Sequence, residues 1–188
     1  MKLYHALLFS LCCISFCLAQ NPLLPERFQF EPDLSYDESI PSPADFLGYE
    51  LGERMTLYAH TVNYFEQLDA TTDRISLDNY GETYEGRPLI YAVITSAENQ
   101  AKIEELRKNN LSLADTSPEE LSKRIDSQPI VVSFSYNIHG NEASCTEAAM
   151  QVAYRLAAAT DQNTEDLLQN LVFVLFPCIN PDGRRPDF

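Results

Sequence analysis

The sequence predicts an α/β fold, a mixed sheet flanked by helices, on three observations. Ile130 to Ser135 reads as a short apolar strand. Ala143 to Ala159 follows with helical periodicity, placing Cys145, Ala149, Val152 and Leu156 on one face. Leu171 to Phe176 is then a continuous apolar run, the pattern of a parallel strand covered on both faces. Strand, helix and strand in that order make a βαβ unit, which is normally right-handed.

The elements upstream are read in chain order. Residues 1–19 have the form of a secretory signal peptide: Lys2, an apolar core from Leu7 to Leu18, and small residues before Gln20. Residues 20–43 form a proline-rich lead-in, with Pro22, Pro25, Pro32, Pro41 and Pro43, expected to run extended over a domain surface. Leu51, Met55, Tyr58, Val62 and Phe65 recur at steps of four and three, which predicts a helix over about Glu53 to Asp69. His60 falls off that stripe and is expected to be solvated. Arg74 to Tyr80 and Pro88 to Thr95 are strand candidates, the second rich in β-branched and aromatic residues. Ala97 to Asn109 and Pro118 to Asp126 are charged helical segments, and Ser117 is placed to cap the second.

Composition limits the function. The chain has 188 residues, a net charge of −15 and a hydrophobic fraction of 45%. That length and hydrophobicity suit a single globular domain and argue against general disorder. The acidic balance argues against a nucleic-acid partner, because phosphate binding needs a basic face. No apolar stretch is long enough to span a bilayer, so no membrane partner is expected after signal cleavage, and the location implied is secreted or periplasmic. The absence of tryptophan argues against a carbohydrate-binding platform. Beyond residue 19 only Cys145 and Cys178 remain, which allows one bridge or two buried thiols.

The chemistry concentrates in His139-Gly140-Asn141-Glu142, between the first strand of the βαβ unit and its helix. Open α/β sheets bind ligands outside the carboxyl ends of their strands. An imidazole and a carboxylate three residues apart at a helix start can converge on one cation, and Gly140 is expected to allow a tight turn between them. Alone, the pair is a weak signal. Taken alone it reads more readily as a capping loop in which Glu142 caps backbone amides and His139 packs.

Two further segments change the weighing: Gly81-Glu-Thr-Tyr-Glu-Gly-Arg-Pro-Leu89, and Asn180-Pro181-Asp182-Gly183 directly after the last strand. Each is ordinary turn chemistry by itself. With His139 and Glu142 between them, the set resembles the M14 family of zinc carboxypeptidases. Tyr136 to Ala143 looks most like its large secreted bacterial members. The resemblance covers about Ala44 to Arg184. It implies a catalytic Zn2+ held by two histidines and one glutamate, with His139 and Glu142 as the first two ligands. It also implies a peptide or protein substrate and hydrolysis of the C-terminal peptide bond by metal-activated water. The family's third ligand, its general base and its substrate-binding tyrosine belong well downstream of Asn-Pro-Asp-Gly. The general base is therefore expected beyond Phe188, and no catalytic residue is expected within the chain. The only other histidine after the signal segment, His60, precedes the pair. Residues 44–188 are accordingly expected to be an N-terminal, truncated portion of the catalytic domain. Asn141 stands where the digestive members carry arginine. Arg184 follows the last motif and is a candidate for gripping an anionic substrate group. Two other readings share these residues: a non-catalytic carboxypeptidase-like binding module, and a zinc deacylase of the aspartoacylase type.

Overall fold

The computed structural model describes residues 31 and 33–184. The expected signal segment lies outside the described residues, and so does Phe188, the position beyond which the general base is expected.

A four-stranded mixed sheet organises the body. Its strands are β1 (Ile75–Glu82), β2 (Pro88–Ile94), β3 (Ile130–Ser135) and β4 (Leu171–Phe176), in the order β1-β2-β4-β3. β1 and β2 form an antiparallel hairpin, β2 pairs antiparallel with β4, and β3 runs parallel to β4 from Ile130↔Leu171 to Ser135↔Phe176. The helices are α1 (Pro43–Leu47), α2 (Tyr58–Thr71), α3 (Ala97–Gln100), α4 (Ile103–Ser112), α5 (Pro118–Arg124), α6 (Ala143–Ala158) and α7 (Gln162–Asn170). The α/β prediction therefore holds, with the β3–α6–β4 unit in place and α7 added within its crossover.

One face of the sheet carries the core. Ile90, Ala92 and Ile94 from β2 and Phe173 and Leu175 from β4 meet Tyr64, Phe65 and Leu68 of α2 and Ala149, Met150 and Ala153 of α6. The alanines on α6 let it approach both α2 and the sheet closely, and burial of this set is the main force holding the layers together.

Two predicted boundaries shift for identifiable reasons. The helix expected from Glu53 starts at Tyr58, because Gly52 adopts a left-handed φ of 87° and Leu57 is extended. The amides of Gly52 and Thr56 are instead taken by the Glu147 carboxylate on α6. The helix expected over Ala97 to Asn109 is two helices. Buried Asn99 pins the first of them, donating to the Leu168 and Gln169 carbonyls at the end of α7. The buried face of α6 is also rotated from the expected one. Thr146, Ala149, Met150 and Ala153 are fully buried, whereas Cys145 and Val152 are half-buried.

Candidate metal centre

β3 and β4 end side by side, and the loops leaving them carry two of the motifs. Tyr136 continues the ladder by donating to the Phe176 carbonyl at 2.9 Å, and Ile179 donates to the Tyr136 carbonyl at 3.1 Å. Asn137 then enters the left-handed region with a φ of 54° and is 1% exposed. Asparagine tolerates that conformation better than most residues. Its Nδ2 donates to the carbonyls of His139 (2.8 Å) and Glu142 (3.2 Å), so it ties together both ends of the His-x-x-Glu turn. Its Oδ1 accepts from the Cys178 Sγ at 2.9 Å. Burial pushes the Cys178 thiol up, which keeps it protonated and able to donate. Both Cys145 and Cys178 are free thiols.

The Asn-Pro-Asp-Gly turn packs directly on this loop. Asn180 Nδ2 donates to the Ile138 carbonyl at 3.1 Å, and its Oδ1 accepts from the Gly183 amide at 3.1 Å. A Cβ on Gly140 would lie 2.0 Å from the carbonyl carbon of Gly183. Gly140 is thus required for close backbone approach, rather than for the tight turn expected from sequence.

The third segment joins through Asp182. One carboxylate oxygen accepts from Thr83 Oγ1 at 2.7 Å and pairs with Arg87, and the other accepts from the Glu85 amide at 3.3 Å. Burial would raise the Asp182 carboxyl, but the bonds from Thr83, Arg87 and the Glu85 amide outweigh it and hold the group below its ordinary value. The Gly81-to-Arg87 segment, the His-x-x-Glu loop and the Asn-Pro-Asp-Gly turn therefore form one hydrogen-bonded assembly.

On that assembly His139 and Glu142 are both exposed. Glu142 occupies the N-cap position of α6, but its side chain caps no backbone amide, and its amide closes a turn onto the His139 carbonyl at 3.0 Å. The capping-loop alternative is thereby disfavoured, since neither side chain takes the role it requires. The Glu142 carboxylate receives a long contact from the Cys145 Sγ at 3.9 Å. An imidazole nitrogen and a carboxylate oxygen exposed on one short turn are a donor set that suits zinc. His60 is exposed on α2, and the described residues hold no group of three His, Cys, Asp or Glu side chains able to bind a metal ion.

Arg184 is placed differently from the sequence expectation of a substrate-gripping group. It is 5% exposed, with Nε and Nη2 donating to the Thr56 carbonyl (3.1 and 2.7 Å) and Nη1 to the Ala143 carbonyl (2.8 Å). Burial and three bonds to backbone carbonyls set this guanidinium within the packing of the fold rather than on an open surface. Sequence reasoning missed Asn137 and Glu147. The only sequence signal for Glu147 is a carboxylate set inside the apolar pattern of α6, and Asn137 lies within the Tyr136-to-Ala143 resemblance with no role of its own marked by it.

Residues 61–186 match the Peptidase_M14 family, described as zinc carboxypeptidase. The chain belongs to that family. This M14 chain is also similar to the solved carboxypeptidase A of Helicoverpa armigera, with 18% identity and a TM-score of 0.51, over 78% of this chain and 29% of that one. A metallo-carboxypeptidase from Burkholderia cenocepacia is similar at 19% identity and a TM-score of 0.45, over 68% of this chain and 26% of that one. The M14 chain thus spans under a third of the length of either. No curated protein matches it by sequence.

Proposed function

We propose that this chain carries the first arm of a zinc-dependent carboxypeptidase centre acting on peptide or protein substrates, with His139 and Glu142 as metal ligands. The observation that supports this most directly is the state of those two side chains. Both are exposed on a loop whose backbone is held by Asn137, Asn180 and the Gly140–Gly183 contact, and the Glu142 side chain caps no backbone amide. Zinc, when bound, supplies Lewis-acid polarisation of the scissile carbonyl and an acidified water. The residues of this chain supply the platform. Glu142 would contribute an oxygen donor and His139 a nitrogen donor, and the hydrogen-bonded loop holds the backbone that carries both, so that less chain entropy is lost on binding.

The third ligand is assigned to sequence other than the described residues, because His60 sits on α2 rather than on the motif assembly. The general base is assigned beyond Phe188, following the order of the family's motifs. Residues 44–188 are accordingly read as the N-terminal part of the catalytic domain. The apolar segment at residues 1–19 supports export, to a secreted or periplasmic location. Among the described residues no helix is long and apolar enough to cross a membrane.

Calorimetric titration of the full chain with zinc tests the ligand assignment. The expected result is one site of about micromolar or weaker affinity, lost in both His139→Ala and Glu142→Ala. Binding that survives both substitutions would overturn the assignment. Submicromolar affinity with carboxypeptidase turnover would overturn the placement of the remaining groups elsewhere.

A further inference from the structure

Two buried charges beside the His-x-x-Glu turn are not used by the ligand assignment. Glu147 lies on α6, five residues after Glu142, and is 8% exposed. Its Oε2 accepts from the Gly52 amide and its Oε1 from the Thr56 amide, both at 2.9 Å. Arg184 holds the same residue from the other side, through the Thr56 carbonyl, and also donates to the Ala143 carbonyl. Thr56 is thus held at its N–H by an anion and at its C=O by a cation, and its hydroxyl accepts from the Tyr49 hydroxyl at 3.1 Å.

Burying a carboxylate and a guanidinium is costly even when every hydrogen bond is made, and well-packed apolar residues would hold a loop at less expense. What this pair provides instead is direction. Backbone amides and carbonyls are gripped at fixed angles, and the forked guanidinium reaches two separate segments at once. One of those segments is Ala143, the residue next to Glu142 and the first of α6. The guanidinium therefore joins the metal-ligand turn to the 51–57 loop. Glu147, on the second turn of the same helix, joins the two again from the other side.

We propose that Glu147 and Arg184 are a positioning pair that fixes the first turn of α6, and with it the directions of the Glu142 carboxylate and the His139 imidazole. The consequence for metal binding rests on the zinc reading above. The mechanical claim about the turn does not.

The test uses the full chain with Arg184→Lys, Glu147→Gln and the control Leu168→Ala. The control removes fully buried core atoms on α7, at the opposite end of the strands. Lysine keeps the charge of Arg184 but loses the fork, and glutamine turns an amide N–H toward backbone donors. Hydrogen exchange of peptides covering residues 137–144 is measured without metal, well below each variant's melting temperature. Zinc affinity is measured beside it, by competition with a chromophoric chelator. Both clamp variants should exchange faster over 137–144 and bind zinc about 10- to 100-fold more weakly, the range seen when groups that orient metal ligands are lost. Leu168→Ala should lower the melting temperature while leaving both readouts at wild-type values. Unchanged exchange in Arg184→Lys and Glu147→Gln, or an equal rise in Leu168→Ala, would overturn the proposal. If wild type and His139→Ala bind zinc alike, the ligand assignment fails, and the exchange result alone decides the positioning claim.

Discussion

Asp182 shows how single residues bind the three motifs into one object. It stands in an Asn-Pro-Asp-Gly turn, where an aspartate is ordinary by composition. Its carboxylate nevertheless reaches across to Thr83, the Glu85 amide and Arg87. Because its pKa is held below the ordinary value in the folded chain, its bonds contribute stability above the unfolded carboxyl's pKa and lose it as pH falls through the folded one. The melting temperature of wild type should therefore drop on acidification below about pH 4. Asp182→Asn should melt lower at neutral pH and lack that component of the acid decline. Identical acid profiles would show that Asp182 titrates as though unpartnered. Gly140 gives a sharper expectation. A methyl there meets the Gly183 backbone at 2.0 Å, and backbone cannot rotate aside as a side chain can. Gly140→Ala should cost at least about 2 kcal/mol in chemical denaturation, with a slope like that of wild type. A cost near zero would mean the two loops separate freely.

At the level of elements, β3, the start of α6 and β4 were legible because short apolar runs and a 3.6-residue period are local signals. The hairpin was legible for the same reason, with β-branched residues on either side of a polar turn. The start of α2 was not. Leu51 and Met55 continue its apolar spacing, but the Gly52 and Thr56 amides bond to Glu147, more than ninety residues away in sequence. No local pattern reports such a partner. The same limit hid Asn137, whose value lies in groups brought together by the ends of two strands. Within the site, the identities of His139 and Glu142 were readable, while the groups that hold them were readable only where they fell inside a motif. The packing of α6 supports a prediction of its own. Ala153 is fully buried against α2 and the sheet, at a position where periodicity alone would accept any apolar residue. Ala153→Leu should destabilise by about 1–3 kcal/mol through overpacking. Urea denaturation measures it, and a neutral result would reveal slack between α6 and the core.

Across the whole molecule, the sheet is covered unevenly. α2 and α6 seal one face, while the other carries the aromatic cluster Tyr80, Tyr91 and Phe176 together with Val93 and Val174, and α4 lies over only part of it. Among the described residues β3 pairs with β4 alone, and Ile130 and Val131 on it are 64% and 45% exposed. An apolar strand with no partner along one side among the described residues is a template for pairing with another chain. The net charge of −15 opposes that approach, since like-charged chains repel. Salt decides between the two effects. Screening shortens the reach of repulsion from about 10 Å at 0.1 M to about 3 Å at 1 M, while apolar burial is not weakened. The chain should therefore self-associate more as ionic strength rises, and sedimentation velocity at matched concentrations measures this directly. Val131→Lys places a charge on the open strand and should reduce association at high salt without altering the melting temperature by more than a few degrees. Equal sedimentation of wild type and Val131→Lys would rule out β3 as the contact, and association that falls with salt would show that charge, rather than exposed apolar surface, draws the chains together.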